Sequence, residues 1–199
     1  MIDKLPTVKK LMRHLHQVPF LASKNLYRVA SYFLHMQDEQ LQQFCTALQE
    51  AKRRIVLCDR CFVWQEKGST CIFCDDATRD RATICVVESW HELLVIERTD
   101  AFKGMYHVLG GVISPLDGIT AQDLHIDALV QRATGDVQEI IFALNQTPEG
   151  EATSAFIARK LQGHSVKITC LAKGVPIGSN LEFVDRLTVG KALADRRNF

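Results

Sequence analysis

The stretch CDRCFVWQEKGSTCIFC, Cys58 to Cys74, gathers four of the chain's seven cysteines into two C-x-x-C pairs separated by nine residues. Thiolates at i and i+3 can share one ion at a knuckle turn, and two knuckles complete a tetrahedral zinc site. Gly68 stands in the linker, where a tight hairpin needs a turn. An odd cysteine count without an export signal argues against a disulfide framework. A thioredoxin-like centre needs a single C-x-x-C, and two pairs this close argue against it. The reading is therefore one zinc per chain, held by Cys58, Cys61, Cys71 and Cys74. Four thiolates leave no open position for water, so the ion is structural. Cys45, Cys85 and Cys170 sit in apolar patterns and read as buried small hydrophobes.

What must position this quartet is a chain of 199 residues, 47% hydrophobic and 24% charged, long enough to bury a core. It contains no run of 18 apolar residues. The N-terminal MIDKLPTVKKLMRHL carries charge throughout and lacks an apolar signal core. A cytoplasmic protein without a membrane partner is the expectation. A net charge of +1 excludes a globally basic surface, so nucleic acid would need a local patch or pooled subunits.

Three regions follow from the periodicity. Val8, Leu11, Met12, Leu15 and Val18 recur at helical spacing up to Pro19. Leu26, Val29, Ala30, Phe33 and Leu34 mark a second helix, with Ser23 as its expected cap. A third starts near Asp38. After the quartet, TICVVE, MYHVLGG, VQEIIFAL and SVKITCLA read as strands. They alternate with helices in WHELLVIER, AQDLHIDALVQRA and EATSAFIARKL, and a last helix runs from about Val184 to Arg197. Such alternation predicts a mostly parallel sheet flanked by helices. Ligands of such sheets bind at the carboxyl ends of the strands. Glu88 ends the first strand; Asn145, Thr147, Glu149 and Glu151 follow the third. The glycine-bearing loop Gly174 to Asp185 lacks the Lys-Ser/Thr of a phosphate-binding loop, so no ATPase is expected.

The motifs ICVVES, GMYHVLGGVISPLDGI, NQTPEGEAT and GVPIGSNLEFVD, with the quartet and the TRDRATICVVE link, resemble the RecR recombination-mediator family over nearly the whole chain. The resemblance implies a multi-part α/β protein. Residues 1–54 would form a helix-hairpin-helix-like DNA-binding segment, 55–77 a four-cysteine zinc finger, 82–177 a Toprim domain and 178–199 a tail for subunit assembly. It implies a non-enzymatic, nucleoid-associated mediator that binds DNA, acts with RecF and RecO, and helps load RecA onto single strands at gaps. It also implies a homo-oligomer, a dimer or a ring-shaped tetramer.

Set against that pattern, single residues sharpen the reading. Enzymatic Toprim domains hold magnesium with a Glu and a D-x-D, and here the second motif reads Asn145-Gln146-Thr147. Neutral groups do not draw a hard divalent cation from its water shell. The acidic strand ends, Glu88, Glu92, Asn145, Glu149 and Glu151, then read as a partner-binding surface. In the family's hairpin P-G-I-G-P-K both glycines are replaced, giving PFLASK with Phe20 and Ala22. Lys24 and Arg28, four apart on one helix face, are the expected phosphate contacts, with Lys9 and Lys10 adding local charge. Two further readings stand beside the mediator: an adaptor with little DNA binding of its own, and a metal-dependent Toprim enzyme.

Overall fold

The computed structural model describes residues 5–196, which fall into two compact units divided along the chain after Ile55. The first holds α1 (Pro6–His16), α2 (Ser23–His35) and α3 (Asp38–Arg54). Pro6 opens α1, where its missing N–H costs nothing. Ser23 is the first helical residue of α2 and not its cap. Ala22 holds the cap position, with no side-chain bond to the helix. Leu26 and Ala30 are the buried side chains of α2, and Phe33 meets Phe44 of α3 with ring centres 5.3 Å apart. Tyr27, Tyr32, Leu34 and Leu48 remain exposed on the same unit.

The α1–α2 turn departs from what side-chain sterics favour. Phe20 takes φ +63°, the left-handed region that suits glycine, with its ring wholly in solvent. The backbone thus adopts the positive φ that a glycine would give this hairpin, although a phenylalanine sits there.

The second unit begins within a short hairpin, β1 (Ile55–Leu57) with β2 (Trp64–Glu66), which turns through residues 58–63 with Phe62 at positive φ; Gly68, expected to make that turn, takes φ +85° in the loop after β2. It continues as β3 (Asp80–Val87), α4 (Trp90–Glu97), β4 (Gly104–Val108), α5 (Ile126–Arg132), β5 (Glu139–Phe142), α6 (Pro148–Lys160), β6 (Lys167–Cys170) and α7 (Arg186–Ala194). The four larger strands form a parallel sheet in the order β4-β3-β5-β6. Central β3 carries the fully buried run Ile84 to Val87, as a strand covered on both faces must. One edge, β4, is covered: Val108 N–H donates to Cys61 O at 2.9 Å.

Further expectations change. The helix read over residues 121–133 is interrupted. A 3₁₀ turn (Ala121–Asp123) is closed by Thr120 and Asp123, and α5 begins only at Ile126. Cys85 is buried, but Cys45 and Cys170 are exposed, so the apolar pattern around them does not mark core. The last helix is shorter than the expected Val184 to Arg197: α7 starts at Arg186 behind the Asp185 cap and ends at Ala194, while Arg197 itself lies outside the described residues. Among those described, no helix is long and apolar enough to cross a membrane.

Within the charge-rich link, Arg79 does the anchoring. Its guanidinium lies 4.7 Å from the Phe73 ring centre, donates to Gly104 O at 3.0 Å and pairs with Glu97. One side chain thereby ties the second knuckle to β4 and to α4.

Candidate metal centre and acidic strand ends

Cys58, Cys61, Cys71 and Cys74 are all buried, and their sulfurs lie within 4.8 Å of one another. Cys58 and Cys74 Sγ are 4.0 Å apart, Cys61 and Cys71 Sγ 3.5 Å. Four sulfurs at ~2.3 Å from one zinc ion would be separated by roughly 3.8 Å, so the cluster has the right size. Each knuckle also sends a backbone N–H to sulfur, Arg60 N to Cys58 Sγ and Cys74 N to Cys71 Sγ. Asp75 accepts from Cys71 N at 2.8 Å and pairs with Arg60, bracing the second knuckle. The Cys74 thiol is pulled down to about 6, first by the hydrogen bond from Cys61, against burial, and with help from the charge of Arg132. Burial raises the Cys71 thiol.

The first knuckle is locked to the sheet by rings. Phe62, at φ +61°, stacks on His125 with centres 3.7 Å apart and meets His107 edge-on. His107, fully buried on β4, donates through Nε2 to His125 O at 2.8 Å and accepts from Arg132 through Nδ1 at 3.0 Å. Burial, with the nearby Arg132 charge, pushes this imidazole down to about 3. The unfolded chain therefore takes up the proton near its ordinary pKa of about 6.5 while the folded chain refuses it. Stability from this residue is complete above pH ~6.5 and falls as the pH drops toward 3. At pH 5 the expected loss is about 2 kcal/mol. Urea titrations of the native chain and of His107→Gln across that window check this. The variant should show the shallower pH slope, and equal slopes would contradict the assignment.

At the far ends of β3 and β5 the acidic residues are bound to protein groups. Glu88 accepts from Asn145 N at 2.6 Å and from Asn145 Nδ2 at 2.9 Å. Glu92 lies one helical turn on. Its Oε2 closes the capping box of α4 with Ser89, and its Oε1 accepts from Asn145 Nδ2 at 3.4 Å. Burial works against the charged form of Glu92, but the bonds from Ser89 and Asn145 outweigh it and hold the carboxyl below its ordinary value. Thr147 caps α6 by accepting from Gly150 N. Glu149, exposed in the first turn of α6, lines a groove of about 610 Å³ with Glu88, Ser114, Asp117 and Asn145. Glu151 points elsewhere. Ion pairs to Lys173 and Lys191 hold its carboxyl down at about 2.

The structure thus brings Glu88, Glu92 and Asn145 together, puts Glu149 at their rim and separates Glu151 from them. Lys24 and Arg28 are exposed on α2, and Lys9 and Lys10 are exposed on α1. Sequence reasoning did not find His107, Arg132 or the donor role of Asn145. The histidine lies in an ordinary strand pattern, and nothing in the spacing marks its partner 25 residues on.

Comparison with known proteins gives two family-model matches, both within the second unit. Residues 82–172 match the family model described as Toprim domain, and residues 174–197 match the one described as RecR, C-terminal. The chain is 40% identical to the recombination protein RecR of Porphyromonas gingivalis, over all of this chain and 97% of that one. It is 41% identical to the protein of the same name from Rubrobacter xylanophilus, over 96% of each. With that of Bifidobacterium adolescentis it shares 41% over 96% of this chain and 95% of the relative.

Proposed function

The chain belongs to the RecR family of recombination proteins, and on that premise we propose that it is a non-enzymatic mediator of recombination repair. It binds DNA near gaps, acts with RecF and RecO, and helps load RecA, working in the cytoplasm at the nucleoid. The observation that carries the non-enzymatic part is the pair of bonds from Asn145 to Glu88. The carboxylate oxygens that would bind magnesium in a Toprim enzyme accept hydrogen bonds from an amide instead. The second carboxylate arm is absent from the sequence. The same acidic ends, Glu88 and Glu149 in the groove with Glu92 beside Asn145, are then a surface for a basic partner protein, which Glu151, paired with Lys173 and Lys191, does not join.

One structural zinc, held by Cys58, Cys61, Cys71 and Cys74, fixes the hairpin against β4. The four thiolates would supply no Lewis-acid step, because none of the four positions is left for substrate. DNA contact falls to the helical unit. Lys24 and Arg28 are exposed four residues apart, and Phe20 takes the positive φ that a glycine would take in this hairpin. Few cations per subunit imply weak binding by one chain, which a dimer or ring of four would multiply. Exposed Leu34, Phe44 and Leu48 on the helical unit, and Ile177, Phe183 and Leu187 in the C-terminal segment, support such assembly.

Binding of the full chain to a gapped duplex across a salt series tests this. Affinity should fall with salt. Lys24→Ala/Arg28→Ala should lower the log–log slope by about 1 per lost cation per subunit engaged. An unchanged slope would move the contacts off α2. No binding even at low salt would favour the adaptor reading, in which DNA is reached through RecO.

A further inference from the structure

Arg132 ends α5 with its guanidinium half-buried beside the metal centre. Its Nη1 donates to Tyr106 O at 2.9 Å and to His107 Nδ1 at 3.0 Å. Both acceptors are neutral. His107 must keep its proton on Nε2, which donates to His125 O, so Nδ1 offers a lone pair and no charge. These bonds aim the guanidinium but do not balance it. Among the described residues no carboxylate forms an ion pair with Arg132. A cation withdrawn from water without a counter-charge is costly.

The negative groups whose charge bears on it are sulfurs. Burial pulls the Arg132 guanidinium down, while the charges of Cys74, Cys61 and Cys58 pull it up. The wall that holds it also holds the quartet. Val108 N–H, next to His107, binds Cys61 O, and Phe62 packs on His107. Arg60 is the other cation near the sulfurs, but it is exposed and already paired with Asp75. A divalent ion with four thiolates is left doubly negative and itself needs a counter-charge in this dry setting.

We propose that Arg132 is the built-in counter-cation of the four-thiolate centre, a positioning residue whose fixed charge holds the metal-loaded form. It rests on the zinc reading above. A cation aimed by neutral acceptors keeps its whole charge for the sulfurs, which an arginine in a salt bridge would not. Removal of the charge should therefore loosen the metal more than it disturbs the sheet.

Competition for zinc between a chromophoric chelator and the full chain tests this. The proteins are the parent, Arg132→Gln, Arg132→Lys and Arg60→Gln. Arg132→Gln should bind zinc about tenfold to a hundredfold more weakly. Arg132→Lys keeps the charge but not the planar fork, and should lie nearer the parent than the glutamine variant. Arg60→Gln, which loses only an exposed pair with Asp75, should weaken zinc clearly less than Arg132→Gln. Equal weakening in the lysine and glutamine variants would reduce Arg132 to a hydrogen-bonding strut and overturn the proposal, as would parental affinity in Arg132→Gln. If the glutamine variant does not fold, the lysine variant decides: near-parental affinity supports the charge role, and loss of zinc removes it. A parent chain that binds no zinc overturns the metal reading itself, before any variant is compared.

Discussion

Cys71→Ser is expected to leave the second unit unable to fold, giving insoluble protein or a soluble chain with no zinc and a collapsed near-ultraviolet dichroism. The hairpin region buries Cys58, Cys61, Val63, Cys71, Phe73 and Cys74, so most of its interior is ligand rather than hydrocarbon. Structural zinc contributes about 10–16 kcal/mol in small metal-folded units. The net stability of a whole domain is of about that size or less. Serine cannot replace the thiolate at neutral pH, and the damage would spread along identifiable contacts. Phe73 meets Tyr106 edge-on at 5.2 Å, and Cys61 O holds the edge of β4. Soluble yield, zinc per chain and the near-ultraviolet spectrum check this. A zinc-free variant with the parental spectrum would show that apolar packing alone holds the hairpin.

Gly150→Ala should be the most damaging single-methyl change in the loop that closes the acidic end. A Cβ on Gly150 would stand 2.1 Å from Asn145 O and 3.2 Å from its carbonyl carbon, both backbone atoms. Neither can swing aside as a side chain would. Asn145 must move, and with it the two donors that close Glu88. The cap of α6 is strained at once, because Gly150 N is its donor to Thr147. A loss of roughly 3 kcal/mol or more is expected, in the range reserved for forced overlap and broken networks. Urea unfolding measures the first part, and faster hydrogen exchange at the Asn145 amide measures the second. A variant within about 0.5 kcal/mol of the parent, the range of an ordinary surface change, would mean that the loop has room the structure does not give it.

Much of this was readable from residue types. Cys-x-x-Cys spacing fits a metal geometry directly, and a short apolar run such as Ile84 to Val87 fits a strand buried on both faces, which it is. Strand–helix alternation then dictates a parallel sheet. What escaped depends on groups that meet only after folding. Ser23 has the chemistry of a cap, yet the turn enters the helix one residue earlier. Thr120 and Asp123 close a 3₁₀ turn that a 3.6-residue period cannot distinguish from the start of α5. Cys45 and Cys170 lie in apolar runs but on outward faces. Asn145 could be recognised as a poor metal ligand. That its amide binds Glu88 across 57 residues could not. Phe20 is the reverse case. Its type argues against positive φ, and the fold imposes it anyway.

Trp64 on β2 and Trp90 at the start of α4 lie nearly parallel, with ring centres 5.5 Å apart, and they are the chain's two tryptophans. All of the protein's indole emission and absorption therefore originates at one seam, where the cysteine hairpin touches the first helix of the sheet domain. Two indoles at that separation couple as transition dipoles, so their dichroism is a joint property that vanishes when the rings part. The molecule carries an optical gauge of its own hairpin docking, readable without a label and undiluted by any other tryptophan.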